Sequence, residues 1–329
     1  GIFWMIEVLT SQNGAYGGVY PHRWEDRHAL KLDVHFDAAA RAHWRRLAAT
    51  LLATPNPYTG KPPLADPALA LLVLVNENAV EFATILEEPR SGRAYPKRLQ
   101  APFNAWLKKE YATTARLAAA WQTLAADESL EAASVRLPER RDDRGPRMRD
   151  LQRFFLASEK ATVSWATGEI RALGYKGLVT AYNNWDTTEV HLARGTLPVV
   201  TMNAYHDEVM SLAPGTSITQ ESSFAGGLVY MRELMGARWI GRPFVVTEHQ
   251  HLFWNRYRYE SGLATGAYAA LQGWDGLCRH GPGAVDLSFI QPWPHKQHIL
   301  PYSIGMDPIA RAGETLAALL FRRGDVAAA

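Results

Sequence analysis

Apolar residues gather in short runs of strand length at 2–9, 71–75, 177–182, 198–202, 243–247 and 269–272. The runs are nearly continuous rather than alternating, which is the pattern of parallel strands covered on both faces. Helical periodicity fills most of the gaps between them. Residues 37–52 begin at a capping aspartate, Asp37, and place Trp44, Leu47 and Leu51 on one stripe. Residues 103–125 do the same with Trp106, Leu117 and Trp121, and residues 158–173 run through Gly174 and Gly177 into the next apolar run. Strands that alternate with helices predict an α/β fold with parallel strands.

The polar residues cluster at one end of each run. After the apolar stretches come Glu7, Asn76-Glu77, Tyr182-Asn183-Asn184-Trp185, Asn203 through Asp207, Thr247-Glu248-His249 and Gly273-Trp274-Asp275. A (β/α)8 barrel builds its active site from the carboxyl ends of its strands, so this ordering predicts a TIM-type barrel with chemistry on one rim. It also explains why the buried-looking segment LLVLVNENAV delivers a carboxylate between two carboxamides: a rigid strand fixes Glu77 in place.

Composition narrows the chemistry further. With 35 basic and 33 acidic residues the net charge is +2, which gives no field for nucleic acid or an anionic membrane. The densest basic stretch, 136–150, interleaves its arginines with acids and reads as a solvated loop or helix end. One cysteine, Cys278, excludes an internal disulfide and a cysteine-based zinc cluster. No apolar segment approaches the roughly 20 residues of a membrane span. The opening GIFWMIEVLT has no basic flank or cleavage site and reads as a strand, not a signal peptide, which leaves localisation open. Eleven tryptophans, thirteen tyrosines and eleven phenylalanines supply flat apolar faces of the kind that sugar rings stack on.

The set VNEN, NAYHDE, VVTEH and LQGWDGL resembles the retaining glycoside hydrolases of the barrel clan that carries its acid/base on strand four and its nucleophile on strand seven. The resemblance runs over nearly the whole chain, from about residue 1 to residue 326. It implies a glycosidase acting on β-linked glycosides through a covalent glycosyl-enzyme, without a cofactor. Glu77 would be the general acid/base, with Asn76 gripping the hydroxyl beside the anomeric carbon. Glu248 would be the nucleophile, Tyr205 its orienting hydroxyl and Trp274 the aromatic floor of the sugar subsite. His206, Asn183 and Trp185 fall where such enzymes place substrate contacts. Retention needs the two carboxyl groups roughly 5–5.5 Å apart, one donating a proton and one ionised. The cleft border would include residues 11–31 and 250–259.

Within that pattern the run at 71–75 counts as strand four and the run at 2–9 as strand three. Strands three to eight are then recognisable in one domain spanning 1–329, whereas the first two strands and the family's supporting arginine are absent. Six strands do not close a barrel of ordinary shear. The expectation is a truncated or processed chain, a homo-oligomer whose second copy covers the open edge, or an incomplete barrel. Two rival functions stay open. His249-Gln250-His251, with His206 and Asp207, has the spacing of a metal-dependent barrel hydrolase, although strand alternation would turn both histidines away from Glu248. A degenerate barrel that binds carbohydrate without turnover is the other.

Overall fold

The computed structural model describes residues 3–10, 29–87, 95–207, 217–281, 288–290, 293–298 and 307–328. Of the expected cleft border at 11–31, residues 11–28 lie outside these. The chain divides into two compact units, Gly1–Pro198 and Val199–Ala329.

The first unit holds a parallel sheet of three strands in the order β1 (Trp4–Glu7), β2 (Leu69–Val73), β3 (Leu178–Thr180). Its helices are α1 (Ala29–Asp33), α2 (Ala38–Ala53), α3 (Val80–Glu87), α4 (Gln100–Tyr111), α5 (Thr114–Trp121), α6 (Pro146–Ala172) and α7 (Thr188–Arg194). The central strand is apolar because both its faces are covered. Leu72, Val73, Leu74 and Val75 are all buried, and each such side chain removed from water is worth about 1.5–3 kcal/mol. Regular pairing ends at Val73, two residues earlier than the apolar run suggests. The next residues stay pinned between their neighbours: Leu74 N–H donates to the Thr180 carbonyl at 2.8 Å and Asn76 N–H to that of Leu9 at 2.8 Å. Helix α2 begins where the sequence predicts, with the Asp37 carboxylate accepting from Ala40 N–H at 2.7 Å. Its Trp44 is fully buried and donates its indole N–H to the Leu74 carbonyl at 2.9 Å.

Two helical expectations change. The helix predicted over 103–125 is broken into α4 and α5 at Ala112, whose φ of 63° ends the first, and Thr113, whose hydroxyl caps the second. The helix predicted from 158 starts at Pro146, just after Gly145. Part of the basic stretch is therefore structural. Arg147 forks onto the buried Glu128 carboxylate at 2.6 and 2.7 Å and holds that carboxyl down at about 2 against the effect of burial.

In the second unit a parallel sheet runs β4 (Val200–His206), β5 (Phe244–His251), β6 (Gly276–Arg279). Helices α8 (Val229–Ala237), α9 (Glu260–Leu271) and α10 (Pro308–Arg323) accompany it, together with an antiparallel pair, β7 (Ser288–Ile290) and β8 (Trp293–His298). The predicted strand at 269–272 is instead the end of α9. A short apolar run reads alike in a strand and in a buried helix, and here the small residues serve helix packing. A Cβ on Gly262 would come within 2.0 Å of the Gly313 carbonyl oxygen, and one on Gly266 within 2.7 Å of the Ala317 Cα, so α9 and α10 lie backbone to backbone. The third strand of this sheet follows at 276–279. Both units are mixed α/β with parallel sheets, as the sequence predicts, and the described strands form two three-stranded parallel sheets and one antiparallel pair, in which the expected closed barrel is not seen. Among the described residues no helix is long and apolar enough to cross a membrane.

Candidate active site

In the first unit the carboxyl ends of β2 and β3 meet in a carboxamide network. Asn183 is fully buried, and both ends of its amide are used. Its oxygen accepts from Glu77 N–H at 2.7 Å and its nitrogen donates to the Asn76 side-chain oxygen at 2.8 Å. The structure thus joins Asn76, Glu77 and Asn183 but corrects the role expected for Asn183: with no exposed surface, it holds the other two in place and offers nothing to a sugar.

Glu77 itself has a left-handed backbone, φ 52°, as do Tyr182 at 58° and Trp185 at 69°. Three such residues other than glycine at two adjacent strand ends are uncommon, and each costs on the order of 1 kcal/mol or more. The surroundings enforce them. Arg194, buried on α7, donates Nε–H to the Tyr182 carbonyl at 2.6 Å and uses Nη2 on the carbonyls of Asn184 and Trp185. On the other side of the turn His35 binds the Asn78 carbonyl through Nε2 at 2.9 Å and the Thr162 hydroxyl through Nδ1 at 3.0 Å. A carbonyl only accepts, so Nε2 carries the proton and Nδ1 accepts. Burial keeps this imidazole neutral, with its pKa depressed to about 4.

The Glu77 side chain is 24% exposed, and Oε2 lies 3.9 Å from the ammonium of the buried Lys31. Glu7, at the end of β1, joins this group. Burial raises its carboxyl to about 7, the Glu77 charge adds to the rise, and Lys31 opposes it. Trp185 packs its ring 5.5 Å from that of Phe82 and is partly buried.

In the second unit the Tyr205 hydroxyl donates to Glu248 Oε2, and His280 Nε2 lies 3.8 Å from the same oxygen. The Tyr205 and His280 rings meet edge to face at 5.8 Å. A β-bulge makes this possible. Val200, Met202 and Ala204 of β4, with Phe244 and Val246 of β5, share one core with the α8 side chains, yet beyond Val246 the register shifts against both neighbouring strands. Simple alternation would leave position 248 on the same face as 246. The bulge at Thr247 and Glu248 reverses the parity, so Glu248 joins Tyr205 on the face away from the helices. Thr247 locks the bulge by donating its hydroxyl to the Asn203 side-chain oxygen at 2.5 Å.

Two expected contacts lie elsewhere. His206 faces the helix side, with its ring 4.6 Å from that of His251 and 5.9 Å from that of Tyr230, and its Nε2 donates to the Glu221 carbonyl at 2.8 Å. Trp274 precedes β6 instead of following a strand. It is 4% exposed and packs on Phe244 at the amino end of β5, which puts it at the opposite end of the sheet from Glu248. Because the strand falls at 276–279 and not at 269–272, its carboxyl end belongs to His280, and Trp274 lies away from Glu248. His249 and His251 also face the helix layer, as alternation around Glu248 requires, and burial drives both to about 3. Among the described residues no group of three or more His, Cys, Asp or Glu side chains is arranged to hold a metal ion.

No family model matches this sequence. Among curated proteins none matches it either. Solved structures do share its fold. It superposes on an endo-β-1,4-mannanase from Thermotoga petrophila with a TM-score of 0.52 and 13% identity, over 99% of this chain and 60% of that one. A cold-adapted β-galactosidase from Rahnella sp. R3 gives 0.57 and 16% over 89% of this chain and 40% of that one. An exo-β-agarase gives 0.51 and 13% over 89% and 39%. The chain thus spans from about two-fifths to three-fifths of these structures, and at such identities the likeness is one of fold.

Lys31, His35, Arg194 and His280 were not singled out from sequence. Only His280 leaves a usable trace, as one of two polar residues, Arg279-His280, that follow the short apolar pair Leu277-Cys278.

Proposed function

We propose that this chain carries the catalytic residues of a retaining glycosidase acting on a β-linked glycoside. Glu248 is the nucleophile and Glu77 the acid/base, with Asn76 as a sugar contact and Tyr205 as the hydroxyl that orients the nucleophile. The observation that carries the reading is the pairing of Glu248 with Tyr205 on a bulge that turns the carboxylate out of the helix-packed face. A merely structural carboxylate needs no such reversal. The fold shared with enzymes named for cleaving mannan, agarose and galactosides supports the same reading.

In this mechanism Glu248 attacks the anomeric carbon while Glu77 gives its proton to the departing oxygen. Glu77 then takes a proton from the water that releases the sugar from Glu248. The reading requires the two carboxyl groups to flank one glycosidic bond, roughly 5–5.5 Å apart as retention demands.

The test uses purified protein and a panel of aryl β-glycosides. Glu248→Ala and Glu77→Ala are each expected to lower turnover by about three orders of magnitude or more with an unchanged melting temperature. NMR of the first-formed product should show the β-anomer. Near-normal turnover in either variant, or an α-anomer appearing first, would overturn the assignment.

A further inference from the structure

On the helix side of the second sheet, a cavity of about 450 Å³ lies between β5, β6 and the α9–α10 pair. Much of its wall is apolar, formed by Leu277, Ala317, Ala318 and Phe321. Arg279, the last residue of β6, lines it as well. The guanidinium gives Nη1 to the Ala310 carbonyl at 2.5 Å, whereas its Nε and Nη2 are buried with no hydrogen-bond partner among the described residues. Those two nitrogens form a single edge of the guanidinium plane, and their parallel N–H bonds match the two oxygens of a carboxylate.

Two further unpartnered groups line the same cavity. Among the described residues the hydroxyl of Ser261, which is 1% exposed, has no partner, and neither has Nδ1 of His249, which is 3% exposed. Leaving a charged donor edge and two neutral polar groups buried and unsatisfied is costly, and a native interior rarely does so. The carboxylates nearby do not relieve the arginine. Glu314 and Asp307 act on it only at longer range. Asp307 is engaged by Arg258 at 2.6 and 3.3 Å, and Asp275 receives Phe244 N–H at 2.9 Å.

We propose that this cavity binds a small organic carboxylate, its two oxygens on the Nε–Nη2 edge of Arg279 and its apolar body against Leu277, Ala317 and Phe321. The volume suits a molecule with a short aliphatic or single-ring body. The apolar wall favours such a ligand over a bare inorganic oxyanion, which would have nothing to place there. The site is separate from the proposed catalytic residues: Arg279 faces the helices, while His280, the next residue, turns to Glu248.

The experiment is calorimetry and thermal melting of the whole chain with butyrate and benzoate, and in parallel with sulfate and phosphate, at constant ionic strength. Butyrate or benzoate should bind saturably and raise the melting temperature with concentration. Arg279→Met should abolish that binding. Ala318→Trp, which keeps the arginine and fills the apolar wall, should weaken it about tenfold or more. If Arg279→Met does not fold, Ala318→Trp decides. The proposal is overturned if neither carboxylate saturates, if both variants bind as the parent does, or if only sulfate and phosphate bind.

Discussion

The two candidate catalytic carboxylates are positioned by different means. Glu77 sits in a left-handed turn held largely through the backbone, by Asn183 on its own N–H and, around the neighbouring strand end, by Arg194 on three carbonyls. Glu248 sits on a strand and is held through its side chain, by a tyrosine hydroxyl, after a bulge has chosen its face. A backbone-held group depends on the stability of its loop, whereas a side-chain-held group can lose its partner with the fold intact. Removing partners on each side should therefore give different signatures.

The largest expected effect is on the backbone-held side. Arg194→Met keeps the aliphatic stem but leaves the carbonyls of Tyr182, Asn184 and Trp185 without their buried donor. At about 1–3 kcal/mol for each unsatisfied group, less whatever water restores, the loss should be about 3 kcal/mol or more. Hydrogen exchange should rise sharply across residues 181–185, and turnover should fall together with stability. If exchange there stays at the parental level, the loop does not depend on Arg194 and the contrast fails.

On the side-chain-held side, Tyr205→Phe removes one hydroxyl from a half-buried ring. Stability should move by no more than about 1 kcal/mol, while turnover on an aryl β-glycoside should fall about a hundredfold because the nucleophile loses its orienting hydrogen bond. An equal loss of stability and turnover would show that Tyr205 serves the fold instead.

The contrast also marks what the sequence reveals. Polar residues at the ends of apolar runs mark Glu77, Asn76, Tyr205 and Glu248 as candidates, because a buried strand that ends in polar side chains is a local pattern. The parity reversal at Thr247 is not local: it depends on register against β4 and β6, which no single segment records. The strand assigned to 269–272 failed for a related reason. A run of small residues fits a covered strand as well as a helix pressed against another helix, and only the approach of α10 to within a Cβ of Gly262 decides between them. Trp274 shifts with it, to a position before β6. Arg194 was hidden because a helix-ending arginine before a glycine is ordinary in sequence, and its role arises from three carbonyls brought to it by the fold.

The smallest expected effect separates the two units by the sign of a pH dependence. In the first unit burial pushes carboxyl groups up, Glu7 to about 7 and Glu159 to about 8, and Glu189 rises in the same direction. The folded unit therefore holds protons that the unfolded chain releases near pH 4.5. Its stability is lost as pH climbs from there through 7 and 8. His35, depressed to about 4, opposes this only below pH 6.5, so the decline from 6.5 to 8 is unopposed by it. In the second unit His249 and His251 are depressed to about 3 and Glu260 also lies below its ordinary value. There the unfolded chain takes up protons first, and stability is lost as pH falls below 6.5. Hydrogen exchange corrected for its intrinsic pH dependence should show protection in 1–198 falling by about 2 kcal/mol between pH 6.5 and 8, while protection in 199–329 holds over that range and falls below it. Parallel slopes in the two units would mean that these buried groups do not govern their stability, and the division between a carboxyl-protonated and a histidine-neutral unit would have to be abandoned.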